Sequence, residues 1–207
     1  MIKISYIVIK KTSNKPAILI TFLALGLLAP SVVLASVVIN EVAWMGSTNS
    51  PNDEWIELYN PENYIISVEG WSIKSQSNSP TISLKGSIPA GGYFLLERTN
   101  DDSVPNIKAN QIYSGALSND GENLILTDNS GIIQDQVNSL RGWPAGDAKI
   151  KTTMERDSAT SDSGWHNGPV GGTPRAKNSI ASSVVTASPH LTKSITSSTI
   201  FHKSYNS

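Results

Sequence analysis

The chain has 207 residues, 39% hydrophobic and 16% charged, with 16 Lys+Arg, 17 Asp+Glu, three histidines and no cysteine. The missing cysteine excludes a disulfide framework, a lipidated Cys anchor and a thiol nucleophile, and three scattered histidines make no zinc cluster. Four lysines lie in the first fifteen residues and two beyond Asn178, so Ser36 to Asn178 holds ten basic side chains against seventeen acidic ones. Nucleic-acid binding draws on the opposite sign, since affinity comes from neutralising phosphates, and it is not expected here.

The N-terminus carries Lys3, Lys10, Lys11 and Lys15 and no acid, followed by the apolar run "PAILITFLALGLLAPSVVLAS" from Pro16 to Ser36. This is the outline of a secretory signal peptide over residues 1–35, with Val33 and Ala35 marking a cut between Ala35 and Ser36. The competing reading is an uncleaved membrane anchor over residues 17–39, long enough to span a bilayer but interrupted by Pro30. Under either reading the lysines stay inside and the rest is exported, to the periplasm, the cell surface or the medium.

From residue 36 to 178 the local patterns are those of strands. "VVINEVAW" sets Val38, Asn40, Val42 and Trp44 against Val37, Ile39, Glu41 and Ala43, and "EWIELYN" sets Ile56 and Leu58 against Trp55, Glu57 and Tyr59. "YFLLER" and "NLILTD" are short runs bounded by the turn signals "SIPAGG", "NDGEN" and "DNSG". "ENLILTDNSGIIQDQV" reads as an antiparallel hairpin with Leu124, Leu126, Ile133 and Val137 facing inward. No window shows a helical period, and strands with turn signals between them point to an all-β sandwich domain. Residues 179–207 are rich in Ser and Thr, contain His190 and His202, and read as a flexible tail.

Several residues are candidates for chemistry. Glu41 and Glu57 fall on neighbouring predicted strands; paired carboxylates are glycosidase equipment, but they also serve as a polar structural pair accepting loop N–H groups or an Arg or Lys. Neither a cleft nor substrate-holding groups are visible beside them, so catalysis is not expected. Trp44, Trp55 and Trp71 lie on or beside strands and read as core. Trp143 in "RGWPAGD" and Trp165 in "GWHNGPVGG" fall in Gly/Pro loops, where a ring plugs the sandwich end or touches a partner, and His166 reads as a loop residue with one hydrogen bond. Oxygen-rich loops at 100–102, 118–123 and 127–131 fit turns better than calcium loops, so no metal or cofactor is expected.

In order, "INEVAW", "NDEWIELYNP", "GWSIKS", "ISLKGSIPAGGYFLLER", "SNDGENLILTDNSGIIQDQV", "TMER" and "WHNGPVGGTPRAKN" resemble the lamin tail domain in its exported bacterial form, over roughly Val37 to Asn178. The resemblance implies an immunoglobulin-like β-sandwich used as an interaction module without catalytic residues, acting at the cell envelope or outside the cell. No heptads are present, so filament assembly through a coiled-coil rod is not implied. The expected function is a non-catalytic exported binding or scaffolding module with a protein or cell-wall glycan partner. Two alternatives stand beside it: a polysaccharide-binding module that stacks Trp143 and Trp165 on sugars, and an auxiliary module of an exported nuclease.

Overall fold

A computed structural model describes residues 37–160 and 163–181. The predicted cut at Ala35, most of the anchor reading of residues 17–39, and the tail from 182 onward with His190 and His202 lie outside the described residues. Every regular element among the described residues is a strand: β1 (Val38–Ala43), β2 (Trp55–Tyr59), β3 (Ile66–Ser67), β4 (Ser72–Ser75), β5 (Thr81–Ser83), β6 (Ser87–Ile88), β7 (Tyr93–Arg98), β8 (Gln111–Tyr113), β9 (Leu124–Thr127), β10 (Ile133–Val137), β11 (Thr152–Arg156) and β12 (Trp165–Val170). They form a six-stranded sheet in the order β12-β11-β1-β2-β7-β8, a four-stranded sheet β10-β9-β4-β5, and the small pair β3-β6. Pairing is antiparallel except between β7 and β8. The fold is the expected all-β, immunoglobulin-like sandwich.

The core contains residues of both sheets. Ile39, Val42, Ile56, Leu58 and Met154 come from the six-stranded sheet, and Ile73, Ile82, Leu124, Leu126 and Val137 from the four-stranded one, all buried in one cluster. Trp44, Trp55 and Trp71 are also buried in it, as the strand positions of these rings predict. The hairpin β9–β10 forms around the turn at Asp128–Gly131, where the Asp128 carboxylate accepts the N–H groups of Ser130 and Ile132. One inward assignment is corrected. Ile133 is 54% exposed because the β9–β10 register shifts between Ile133 and Asp135, which turns Asp135 inward beside Leu126.

A second correction concerns β1. Simple alternation puts Ile39 and Glu41 on one face, but a bulge between them in the β1–β2 pairing separates them. Ile39 then faces Leu58 in the core, while Glu41 pairs with Glu57 on the opposite face of the sheet. An extra residue in one strand shifts every later side chain by one place, which is how a bulge re-aims a residue. The backbone groups of Ile39 are held by side chains. Asp135 Oδ2 accepts the Ile39 N–H at 2.7 Å, and Arg156 Nε donates to the Ile39 carbonyl at 2.6 Å. Arg156 also pairs with Asp135 Oδ2 at 2.5 Å, so an ion pair inside the sandwich ties β11 of one sheet to β10 of the other.

The chain continues past the hairpin into the larger sheet. β11 inserts between β12 and β1, and residues 171–179 then run back across the outer face of the six-stranded sheet, where they hydrogen-bond to Glu41, Glu57 and Glu155. This strap explains why β1 is buried at all six positions and not at alternate ones.

Candidate functional site

The two sequence candidates Glu41 and Glu57 prove to be two members of a row. Glu41 is in register with Glu57 on β2 and with Glu155 on β11, and Glu155 is in register with His166 on β12. Antiparallel partners on one face have their side chains close together. All three glutamates are fully buried. Glu41 Oε1 accepts the Thr153 hydroxyl at 2.6 Å and the Thr173 N–H at 3.1 Å. Glu57 accepts the Arg175 N–H at 2.6 Å and the Asn40 side-chain amide at 3.1 Å. Glu155 Oε2 accepts the Ser179 N–H at 2.7 Å and its hydroxyl at 2.6 Å.

The strap therefore supplies one backbone N–H to each glutamate. Asn178 adds a clasp, donating to the carbonyls of Asn40 and Arg156 and accepting from the Asn40 amide. Gly172 lets the strap approach the sheet: its φ is +76°, and a Cβ there would run into the Glu41 carboxylate and lie 2.8 Å from Trp55. Only glycine combines that backbone conformation with that space.

Burial governs the charge of this site. It pushes the Glu41 carboxyl up to about 8, with Glu155 and Glu57 adding repulsion and the bonds from Thr153 and Thr173 working the other way. Burial likewise raises Glu57 to about 7, against the bonds from Arg175 and Asn40. Removing a carboxylate from water disfavours its charged form unless donors or cations compensate. Chemically this row is an acceptor for the strap. The strap covers it, and all three glutamates are shut off from solvent, whereas a glycosidase pair must meet substrate and water.

The other candidates fall in two places. Trp165 and His166 are not loop residues: they begin β12, next to β11. The strand is hidden in the sequence because Asn167, Gly168 and Pro169 are turn residues in isolation, and it shows itself only through its pairing with β11. Trp165 is half-buried and stacks on Arg156, whose Cζ lies 4.4 Å from the ring centroid. His166 has more than the single predicted bond, with Nδ1 2.7 Å from Asp157 Oδ1 and Nε2 3.2 Å from Glu155 Oε2 and 3.1 Å from Ser179 Oγ. Trp143 is elsewhere, in a loop as predicted. It is half-buried, stacks on Trp44 at 6.0 Å with a 9° interplanar angle, and donates its indole N–H to the Ser118 carbonyl.

Sequence reasoning missed Glu155, Arg156 and Asp135. The available signal was a charged residue inside a short run of otherwise buried positions, as in "TTMER", the pattern that singled out Glu57 in "WIELY". Beside the strap lies a hollow of about 580 Å³ bounded by Tyr59, Tyr93, Ser158 and Lys177. The two tyrosines are register partners on β2 and β7 with ring centroids 4.9 Å apart. Carboxylates of the oxygen-rich loops accept from donors of the protein itself: Glu122 takes the Ser118 N–H and the Ser75 hydroxyl, and Asp101 takes the Ala109 N–H. No group of three or more metal-ligating side chains occurs among the described residues.

Comparison with known families finds a match between residues 32–140 and the family model described as Lamin Tail Domain. Comparison with curated proteins finds no match.

Proposed function

The chain belongs to the lamin tail domain family, and on that footing we propose that it is a non-catalytic binding or scaffolding module, exported and acting at the cell envelope or outside the cell. One observation carries this reading: the acids that an enzyme would need are the acceptors that hold residues 171–179 on the sheet, while the Tyr59–Tyr93 hollow beside them remains open. A concave surface with aromatic walls and a few polar groups is the ordinary form of a contact site. Export rests on the lysine-led apolar leader, and membrane attachment enters only through residues 17–39 if that leader is retained.

The polysaccharide alternative in its first form needs the rings of Trp143 and Trp165 free, and both are half-buried and stacked within the protein. A nuclease auxiliary would be favoured by a basic groove, which the acid excess opposes. The test is surface cross-linking of intact cells expressing the tagged full chain, with capture of both protein and glycan and sequencing of the captured N-terminus. A reproducible protein or wall-glycan partner lost in Tyr59→Ala and Tyr93→Ala chains supports the reading. Turnover of a nucleic acid or glycan substrate by the pure chain overturns it.

A further inference from the structure

The row Glu155, Glu41, Glu57 poses a proton-counting problem that the geometry answers. Thr173 Oγ1 lies 2.8 Å from Glu155 Oε1 and 3.3 Å from Glu41 Oε2, yet a hydroxyl carries a single hydrogen. If both carboxyls were ionised, one of these contacts would set oxygen against oxygen with no proton between them. The arrangement is complete when Glu41 is neutral. Its Oε2–H then donates to Thr173 Oγ1, the Thr173 hydroxyl donates to Glu155, and Glu41 Oε1 still accepts from Thr153 and takes the shorter arm of the Thr173 N–H, 3.1 Å against 3.3 Å to Oε2.

The charges around Glu41 favour the same assignment. Glu155 and Glu57 flank it on β11 and β2, and Asp157 lies further out beyond β11. His166 on β12 is shared between Glu155 and Asp157. On the strap, Arg175 meets Glu57 through its backbone N–H and sends its guanidinium to Lys108 O and Asn110 Oδ1, and Lys177 is exposed. On the sheet, Lys151 donates to Met45 O, Arg156 faces Asp135 in the core, and Tyr93, paired with Tyr59, has its hydroxyl pushed up by burial, with smaller contributions from Tyr59, Glu57 and Glu41.

We infer that residues 171–179 form a proton-latched strap: a proton that stays on Glu41 and is donated to the Thr173 hydroxyl, which in turn donates its own hydrogen to Glu155, holds the strap closed, and loss of the Glu41 proton in alkaline solution frees it. Opening lets the carboxylates hydrate and uncovers Trp55, so the outer face of the sheet has two states set by pH.

Amide hydrogen exchange of residues 171–179 in the full chain tests the inference, after correction for the intrinsic pH dependence of exchange. Opening that releases one proton raises its equilibrium constant about tenfold per pH unit between the unfolded and folded titration points, from 4.5 to about 8. Glu41→Gln copies the neutral acid, with its amide N–H₂ aimed at Thr173 Oγ1. Its strap should stay closed at about pH 8, and its opening should lose about tenfold per pH unit of the dependence. A Glu41→Gln strap that keeps the full dependence, or is open at neutral pH in an otherwise folded chain, overturns the inference. Should that variant not fold, carboxyl ¹³C titration of the unsubstituted chain decides: a buried glutamate titrating far above 4.5 and in step with strap exchange supports the latch, and all glutamates titrating near 4.5 overturn it.

Discussion

Replacing Arg156 with methionine keeps most of the side-chain volume and removes the charge that faces Asp135. Breaking a buried ion pair from one side costs about 3–5 kcal/mol because the remaining charge is stranded. Here Asp135 has an escape. Burial, opposed by Arg156 and by the Ile39 and Gln136 N–H groups, already holds its carboxyl up at about 6, so it protonates readily once the guanidinium is gone. That places the pair's share near the lower bound, about 3 kcal/mol. Losing the bonds to Ile39 O and Thr160 O adds about 1 kcal/mol. A total of about 4 kcal/mol, with a melting entropy of about 2 cal/mol/K per residue over about 140 residues, corresponds to a Tm lower by about 14 °C. Urea denaturation near neutral pH, followed by tryptophan fluorescence, measures it. Near pH 5 the penalty should shrink by about 1–2 kcal/mol, because a carboxyl neutral in the fold takes its proton at less cost there. Adding Asp135→Leu should recover about 2 kcal/mol but not all, since the Ile39 N–H then loses its acceptor. A loss below about 1 kcal/mol for Arg156→Met, or a double variant no more stable than the single, would refute the reasoning.

Stability as a whole should fall as pH rises. Glu41, Glu57, Glu54 and Asp135 all have raised folded titration points, about 8, 7, 7 and 6, through burial. Each contributes stability that is complete below its unfolded value and lost as pH climbs through its folded value, so scanning calorimetry should find a higher Tm near pH 5 than near pH 8. Trp143→Ala should cost about 2 kcal/mol in chemical denaturation, less than for a fully buried ring, because it deletes the Trp44 stack and the Ser118 bond. If the ring instead serves a glycan, glycan binding is lost while stability is unchanged. Gly172→Ala meets both a positive φ and the Glu41 and Trp55 side chains, so it should destabilise by about 1–3 kcal/mol. Limited proteolysis should then cut first within residues 171–179, and an unaltered digestion pattern would contradict the strap's close fit.

Strands with a buried stripe and clean turn signals could be read in advance. β1, β2, β9 and β10 can be read from alternating runs and β7 from a short run bounded by turn signals, and Glu41 and Glu57 stand out because a carboxylate inside such a run needs a reason to be there. Two failures share one physical origin, that a backbone irregularity is invisible until the partner strand is known. The bulge at Ile39 and the shift at Ile133 each moved side chains to the face opposite the one alternation implies. β12 stayed hidden because its Gly and Pro are turn signals in isolation, so Trp165 and His166 read as loop residues. The third glutamate and the strap that covers the row depend on pairings between residues more than a hundred positions apart, as in the Thr153 to Glu41 bond with a separation of 112. No local window contains such information.

The place of β11 has a consequence for how the chain can be made. β1 is among the first described residues to leave a ribosome or a translocation channel, yet one of its two ladder partners is among the last. Until β11 emerges, β1 can pair only with β2, and its other side presents unpaired N–H and C=O groups. Closing so long a loop is entropically slow, so the nascent domain passes through a period in which its central strand behaves as an edge. During that interval a chaperone that shields extended segments protects the chain, and crowding with other nascent copies endangers it. Truncation anywhere before β11 would make that exposure permanent.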